Sequence, residues 1–482
     1  MKKKHLFILI LGFIFGSLSA QNEIFNFKNS LKENSTDIKN VIPIVNKENG
    51  NLAYFIADAK NVYAYKFNEN FVLQDKLSSE EKRRKFKTLI GYSISKNGSY
   101  SAFLTNKNKK KFLMVNFSFL KKKTTSKEFK LESNGEKFIQ TASVKNNFYL
   151  ISTKTGIDGL FIYEFNEKGT IKRNKIDLSH LKFTSRLGRK TKIVNLLSYS
   201  KKDINKIDEN SPNPIEIVAD KEKMYVRKNK IIFTFDSNKS FSQVLIIDLN
   251  TFKATSKIFN KPLPEIKSIK KKTNSFILHN NIFVLASTKN ELILDIIDYD
   301  SGKSKKKLTI FKEEPILFKN TPIIQEGGYY ANYRELNKTK KFLRKINAGK
   351  IGISARKYNE KFQLTIGGHT IQHNSGMMIG SMIGGISTGI AIASLGNTTV
   401  FFNPTQFTFN ATLNSKSTRI ECLFDQNFNH INGEIDKNVF DKMQKDNENF
   451  TNDMTVIKYK NYFIKGSYNK KMKMYTLKKY TD

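Results

Sequence analysis

One cysteine, Cys422, and no tryptophan occur in 482 residues, and only eight residues are proline. A lone cysteine excludes an internal disulfide, so packing must hold the chain together, and its length is ample for a sizeable core. Within the apolar run IECLF that thiol reads as a buried inert group rather than a nucleophile. Arginine is scarce as well, at ten of 83 basic residues. Sites selected for phosphate or carboxylate favour its bidentate fork, so most of the net charge of +40 reads as a lysine-rich solvated surface. Acids are scattered, and spacing places no two of them as an acid–base couple.

Long apolar runs are also rare. The first residues, MKKKHLFILILGFIFGSLSAQ, put three lysines before an apolar run at 6–15 and small residues ending at Ala20, the layout of a cleaved secretory signal. That run is too short to span a bilayer. The expected mature chain starts at Gln21 with a net charge of +37. It is exported, to the periplasm, the outer membrane or the medium, which makes nucleic acid an unexpected partner.

Short runs of Ile, Val, Phe and Tyr broken by Asn, Lys and Gly indicate strands throughout. One pattern recurs: an apolar strand ending in an aromatic residue or leucine, an Asn/Asp-type turn, and a polar returning strand. It appears as AYKFNENF, VNFSFLKK, IYEFNEKG, IIDLNTFK, IIDYDSGK, ARKYNEKF, CLFDQNF and GSYNKKMK, pivoting at Phe67, Phe117, Phe165, Leu249, Tyr299, Tyr358, Phe424 and Tyr468. A unit near 48 residues suits four short strands with their turns. With IIDYDSGK as its closest match, the array resembles divergent Kelch-like and quinoprotein-like β-propellers, whose apolar strand ends at a turn similar to D-x-x-x-G-K. The other units lack that Gly and Lys. The signal, the composition and the stretch NGNLAYFIADAKNVYAY also resemble secreted proteins of Lys/Asn-rich Bacteroidetes, which implies an address and no chemistry.

The expected fold is therefore all-β, a propeller of seven or eight blades in one domain (21–482), with residues 22–45 supplying a strand that closes the ring. Four inserts interrupt it, at 78–89, 179–214, 367–397 and 436–450, the first and last read as short helices capped by Ser78 or Ser79 and by Asp436. All four are assigned between the last strand of one unit and the first of the next, so they would emerge on one face, the expected working surface. Two inserts are basic, which makes Arg83, Arg84, Arg186 and Arg189 the candidate anion-binding residues.

Residues 362–415 carry no charge at all. As a helix, Ile379, Ile383, Ile386 and Ile390 would form one stripe, with Gly376, Gly380 and Gly384 beside it. These are the candidate contacts for a partner or a membrane surface. His369 and His373, four apart in HTIQH, are candidate zinc ligands that lack an acidic companion, so no metal is expected. GISTG around Ser387 has nucleophile-elbow spacing without the strand–helix alternation that motif requires, and SGKS at 301–304 sits in a hairpin turn. No cofactor is expected. The leading reading is a non-enzymatic propeller of the cell envelope that binds or scaffolds a protein, glycan or membrane partner. The alternatives are a secreted hydrolase or lyase working at the propeller mouth and a polyanion binder.

Overall fold

The computed structural model describes residues 23–29, 38, 40–86, 88–131, 135–165, 171–197, 204–263, 270–327, 333–370, 404–413, 417–446 and 454–482. The signal segment, the glycine and isoleucine candidates at 376–390, and His373 lie outside them. The described residues form seven sheets of four or five strands and one two-stranded hairpin. Sheet 1 is Asn40–Val45, Leu52–Ala57, Val62–Phe67 and Leu73–Ser78; sheet 2 is Thr88–Ile94, Tyr100–Thr105, Lys111–Ser118 and Lys123–Lys130. Sheet 3 is Glu136–Val144, Asn147–Lys154, Gly159–Phe165 and Ile171–Asp177. Sheet 4 adds a parallel strand, Asn205–Ile207, to the antiparallel set Glu222–Arg227, Lys230–Phe235, Phe241–Asp248 and Ala254–Asn260. Sheet 5 is Lys272–Leu278, Asn281–Ser287, Glu291–Asp298 and Ser304–Phe311. In sheet 6 the order is Lys350–Tyr358, Lys361–His369, Ser417–Phe424, Ile323–Glu326 and Arg334–Leu336. Sheet 7 is Thr455–Tyr459, Tyr462–Asn469, Met474–Tyr480 and, outermost, Glu23–Lys28.

The chain packs as two compact units. Unit 1 comprises Met1–Arg84, Lys121–Thr124 and Lys437–Asp482, and unit 2 comprises Lys85–Leu120 and Thr125–Asp436. In unit 1 the strand expected within 22–45 is present: Glu23–Lys28 pairs antiparallel with Met474–Tyr480. Its Phe27 ring lies 4.8 Å from Tyr65, 5.2 Å from Phe67 and 5.5 Å from Tyr475. That aromatic cluster is the core of the unit. Unit 2 has its own cores, the largest running from Ile207 to Phe428 through sheets 4, 5 and 6. Cys422 is buried there, and burial pushes its thiol pKa far up, as an inert core group requires.

The turns explain why the repeat drifted out of recognition. In IIDYDSGK, Asp298 Oδ1 accepts from the backbone N–H groups of Asp300 at 3.1 Å and Ser301 at 2.8 Å, and Gly302 takes φ +72°. Elsewhere a phenylalanine fills the left-handed position. Phe71, Phe252 and Phe428 have φ of 61°, 54° and 61°, in turns capped by Asn68, Asp248 and Asp425. The left-handed conformation costs an L-residue about 1–2 kcal/mol. A ring packed back on its sheet offsets that: Phe428 is buried against Phe362, centroids 4.7 Å apart.

Six of the eight pivots lie within one residue of the end of a third antiparallel strand, as the repeat requires; Tyr358 ends a first strand and Tyr468 lies in a second. Tyr358 and Phe424 thus belong to the same sheet. This corrects the phase of the glycine-rich insert. It separates the second and third strands of sheet 6, Lys361–His369 and Ser417–Phe424, which pair with each other, and residues 367–369 are strand rather than insert. The fourth strand of that sheet comes from upstream, so its polar returning segment is absent after Phe424.

Two helix expectations also change. Residues 79–86 form no helix, because the segment is pinned to the preceding turn. Ser79 Oγ accepts from Val62 N at 2.9 Å, and the buried Lys82 Nζ donates to the carbonyls of Asp58 and Ala59 at 2.9 and 3.0 Å. The later helix spans Val439–Lys445 and is capped by Asn438, not Asp436, with Asp441 closing a capping box.

Candidate anion-binding site

In sheet 4, register sets Glu222 opposite Phe235, Phe235 opposite Gln243, and Phe241 opposite Asn260. The start of the first antiparallel strand, the turn at 236–240 and Lys261 therefore share one end of the sheet. Sheet 5 begins beside it at Lys272. Lys221, Lys223, Lys239, Lys261 and Lys271 gather at this end, with Asp236 among them.

Asp236, Lys223 and Lys261 have no exposed side-chain surface. Asp236 Oδ2 accepts from Lys223 Nζ at 3.0 Å and from Ser275 through both Oγ at 2.9 Å and the backbone N–H at 3.0 Å. Oδ1 accepts from Ser242 Oγ at 2.6 Å and pairs with Lys261 Nζ at 3.3 Å. Ser275 belongs to sheet 5, so one carboxylate fastens two sheets together. Burial alone would raise its pKa, but Lys223, Lys261 and Lys221 hold it well below the ordinary range.

The other amines are held mainly by carbonyls. Lys261 Nζ donates to Asn238 O at 2.7 Å, Lys271 Nζ to Leu263 O at 2.7 Å, and Lys221 Nζ to Thr273 O. Burial lowers the Lys261 pKa to about 8 against the pull of Asp236. It lowers Lys239 to about 8 with added repulsion from Lys272 and Arg186, and it also holds Lys221 well below its ordinary value. No ion pair of Lys239, Lys272 or Arg186 occurs among the described residues. One buried carboxylate is shared by two lysines, and the cations in front of it have no counter-charge of their own.

Arg186 comes from the 179–214 insert. Phe183–Thr184 and Lys190–Thr191 pair as a hairpin rooted by the buried Phe183. Gln243 clamps it to sheet 4, its Oε1 accepting from Thr184 N at 2.7 Å and its Nε2 donating to Thr184 O at 2.8 Å. Asn238 Nδ2 donates to Ser185 O at 3.1 Å. Arg186, Arg189 and Lys190 are exposed at the tip. Arg83 and Arg84 are exposed too, but belong to unit 1, and the adjacent Lys82 is buried on backbone carbonyls. The candidate set therefore divides, with Arg186, on the same hairpin as Arg189, beside a cationic cluster of its own unit. Within unit 2 the stem of the glycine-rich insert reaches the same neighbourhood: His369 pairs with Lys350, whose Nζ lies 2.6 Å from Asp220 Oδ1.

Sequence reasoning missed Asp236, Lys239 and Lys272. The available signal was a carboxylate directly after the apolar strand IIFTF and a strand opening DKEK, both at sheet ends where a charge is ordinarily solvated. Among the described residues no three His, Cys, Asp or Glu side chains gather to hold a metal. Glu434 and Asp436 line a small cleft with Tyr358, Lys361 and Gln363.

Further described parts of the 179–214 insert, and the helix that follows it, pack inward. Asn205–Ile207 lies along the first antiparallel strand of sheet 4, Gln140 of sheet 3 donates to Ile204 O at 2.8 Å, and the buried helix Ile215–Val218 contacts the first two strands of sheet 6. Glu209 lies at the turn between, 3.0 Å from Arg227 and 13% exposed. Burial, opposed by Arg227, raises its pKa to about 7. The folded carboxyl keeps its proton up to that pH whereas the unfolded one ionises near 4.5, so the favourable contribution is complete below 4.5 and lost as pH rises through 7. Unit 2 should lose about 3 kcal/mol between pH 4.5 and 8 from this group, at about 1.4 kcal/mol per pKa unit. Urea unfolding of the Glu209→Gln variant across that range should show the slope flattened; an unaltered slope would assign it to other groups.

No protein-family model matches the chain, and no curated protein matches it by sequence. Solved structures similar to it include a Dos1 propeller, with TM-score 0.27 and 10% identity over 68% of this chain and 66% of that one. Prolyl oligopeptidase B from Galerina marginata, with TM-score 0.30 and 10% identity, is matched over 71% of this chain and 40% of its own. A protein from Lactobacillus plantarum gives TM-score 0.27 and 9% identity over 69% and 81%. The alignment thus takes in less than two-thirds of the first two chains, and at such scores it carries no argument about activity. The sheets themselves carry the fold: consecutive four-stranded antiparallel meanders, with an upstream strand completing the last of them, make this an all-β protein of the β-propeller class.

Proposed function

We propose that the protein is an exported binding propeller that holds an anionic partner of the cell envelope against the end of sheets 4 and 5. The observation supporting this is the set Lys239, Lys272 and Arg186. Burial and repulsion from Lys272 and Arg186 already lower the Lys239 pKa to about 8 against a smaller pull from Asp236, and none of the three cations has an ion pair among the described residues. A bound sulfate, phosphate or carboxylate would supply the missing charge. Hydrated lysines spread evenly over a surface would show no such mutual effect.

Retention on heparin against rising salt tests this. Arg186→Ala/Arg189→Ala should elute at clearly lower salt, the slope of log K against log salt falling by about 2, as expected for two lost anion contacts. Arg83→Ala/Arg84→Ala, in unit 1, should change retention far less. Equal effects of the two pairs would leave only the diffuse lysine field.

A further inference from the structure

Leu187 is the tip of the arginine hairpin, and it is 78% exposed. Its neighbours there, Arg186, Gly188, Arg189 and Lys190, are exposed as well. The turn is closed by Ser185 N to Arg189 O at 2.7 Å and Gly188 N to Ser185 O at 3.1 Å, with Gly188 at φ +81°, so Arg186 and Leu187 occupy its corner. Phe183 anchors the base, and Gln243 and Asn238 fix the hairpin to the sheet. A leucine presented to solvent between two arginines on a fixed support gains nothing from the site's own packing.

We propose that this hairpin docks the protein on an anionic lipid surface, Leu187 entering the boundary between headgroups and acyl chains while Arg186 and Arg189 pair with lipid phosphates. The inference rests on the reading that this end of unit 2 takes anions, and it names the source of the charge. Three features favour lipid over an acidic glycan. An apolar side chain adds to binding only where the partner has an apolar layer to receive it. The guanidinium fork matches a phosphate bidentately while its stem lies along apolar surface, so both arginines can serve without drawing Leu187 back out. Lys190 at the tip, with Lys239 and Lys272 behind it, adds the diffuse attraction that a negatively charged leaflet provides to basic segments.

Sedimentation of the intact protein with phosphatidylcholine vesicles, with and without phosphatidylglycerol, tests the proposal alongside heparin retention. The unsubstituted protein should partition onto the phosphatidylglycerol vesicles and stay off pure phosphatidylcholine. Leu187→Ala should lower the partition coefficient about tenfold, the order expected for withdrawing most of one leucine side chain from an apolar layer, and leave heparin retention unchanged. Arg186→Ala/Arg189→Ala should lower both. All three positions are exposed, so far-UV circular dichroism should be unaltered in every variant. Vesicle binding that ignores Leu187→Ala, or no vesicle binding at all with heparin retention intact, overturns lipid docking and leaves an acidic glycan or other hydrated polyanion as the occupant. Arginine variants that change neither assay overturn the anion-binding reading as well.

Discussion

Asp236→Ala should lower the unfolding stability of unit 2 by about 3–5 kcal/mol, the range found when one partner of a buried ion pair is removed. The carboxylate, Lys223 and Lys261 are all fully enclosed, and Lys223 and Lys261 have no other carboxylate within ion-pair distance among the described residues. Removing the anion leaves two enclosed ammonium groups that must lose protons or admit water. It also strips Ser242 and both donors of Ser275 of their acceptor. Asp236→Asn preserves shape but not charge, and should be nearly as damaging. Replacing Lys223 and Lys261 by methionine in the Asp236→Ala background should recover part of the loss, since apolar groups of similar volume can substitute for a buried ionic set. Denaturant unfolding of the four proteins reads this directly. A loss below about 1 kcal/mol for Asp236→Ala, the size of an exposed pair, would mean that water reaches these amines.

Phe27→Ala should be comparably severe in unit 1, by about 3–5 kcal/mol. Phe27 is 5% exposed and its ring lies within 6 Å of Tyr54, Tyr65, Phe67 and Tyr475, so the truncation opens a void where two sheets of the unit face each other. Deleting Glu23–Lys28 altogether should go further. It leaves the backbone groups of Met474–Tyr480 unpaired along one edge, and an uncovered edge recruits strands from other molecules. Loss of the cooperative thermal transition of unit 1, with concentration-dependent aggregation, is the expected result. A deletion variant that melts as the intact protein does would show that the strand decorates the sheet rather than completing it.

Strand periodicity made the architecture readable, because alternation and Asn/Asp turns are local properties. IIDYDSGK was legible for that reason, and Phe67, Phe117 and Phe165 fell in phase. Tyr358 did not, because a first-strand hairpin such as KYNEKF uses the same turn chemistry as a third-strand one. Only pairing partners far along the chain distinguish them: Ser417–Phe424 sits between Lys361–His369 and Ile323–Glu326. The basic insert was legible as charge, so Arg186 and Arg189 were found. Lys223 and Lys261 were not, since a lysine in sequence carries no mark of whether a carboxylate awaits it in the interior. Nor could composition separate Arg83 from Arg186, although one stands in unit 1 and the other beside Lys239. The helix expected at 78–89 failed through a long-range claim on Lys82, whose two carbonyl partners lie more than twenty residues upstream.

The pairing of Glu23–Lys28 with Met474–Tyr480 also sets a timetable. The first of these strands leaves the ribosome about 450 residues ahead of its mate, a wait of roughly 20–90 s at 5–20 residues per second. Throughout that interval EIFNFK has nothing to join, while the meanders of sheets 3 and 5 pair only strands that are consecutive in the chain. Chains broken off early would therefore carry finished sheets beside an apolar ribbon lacking its mate, a difference that chaperones and proteases can read.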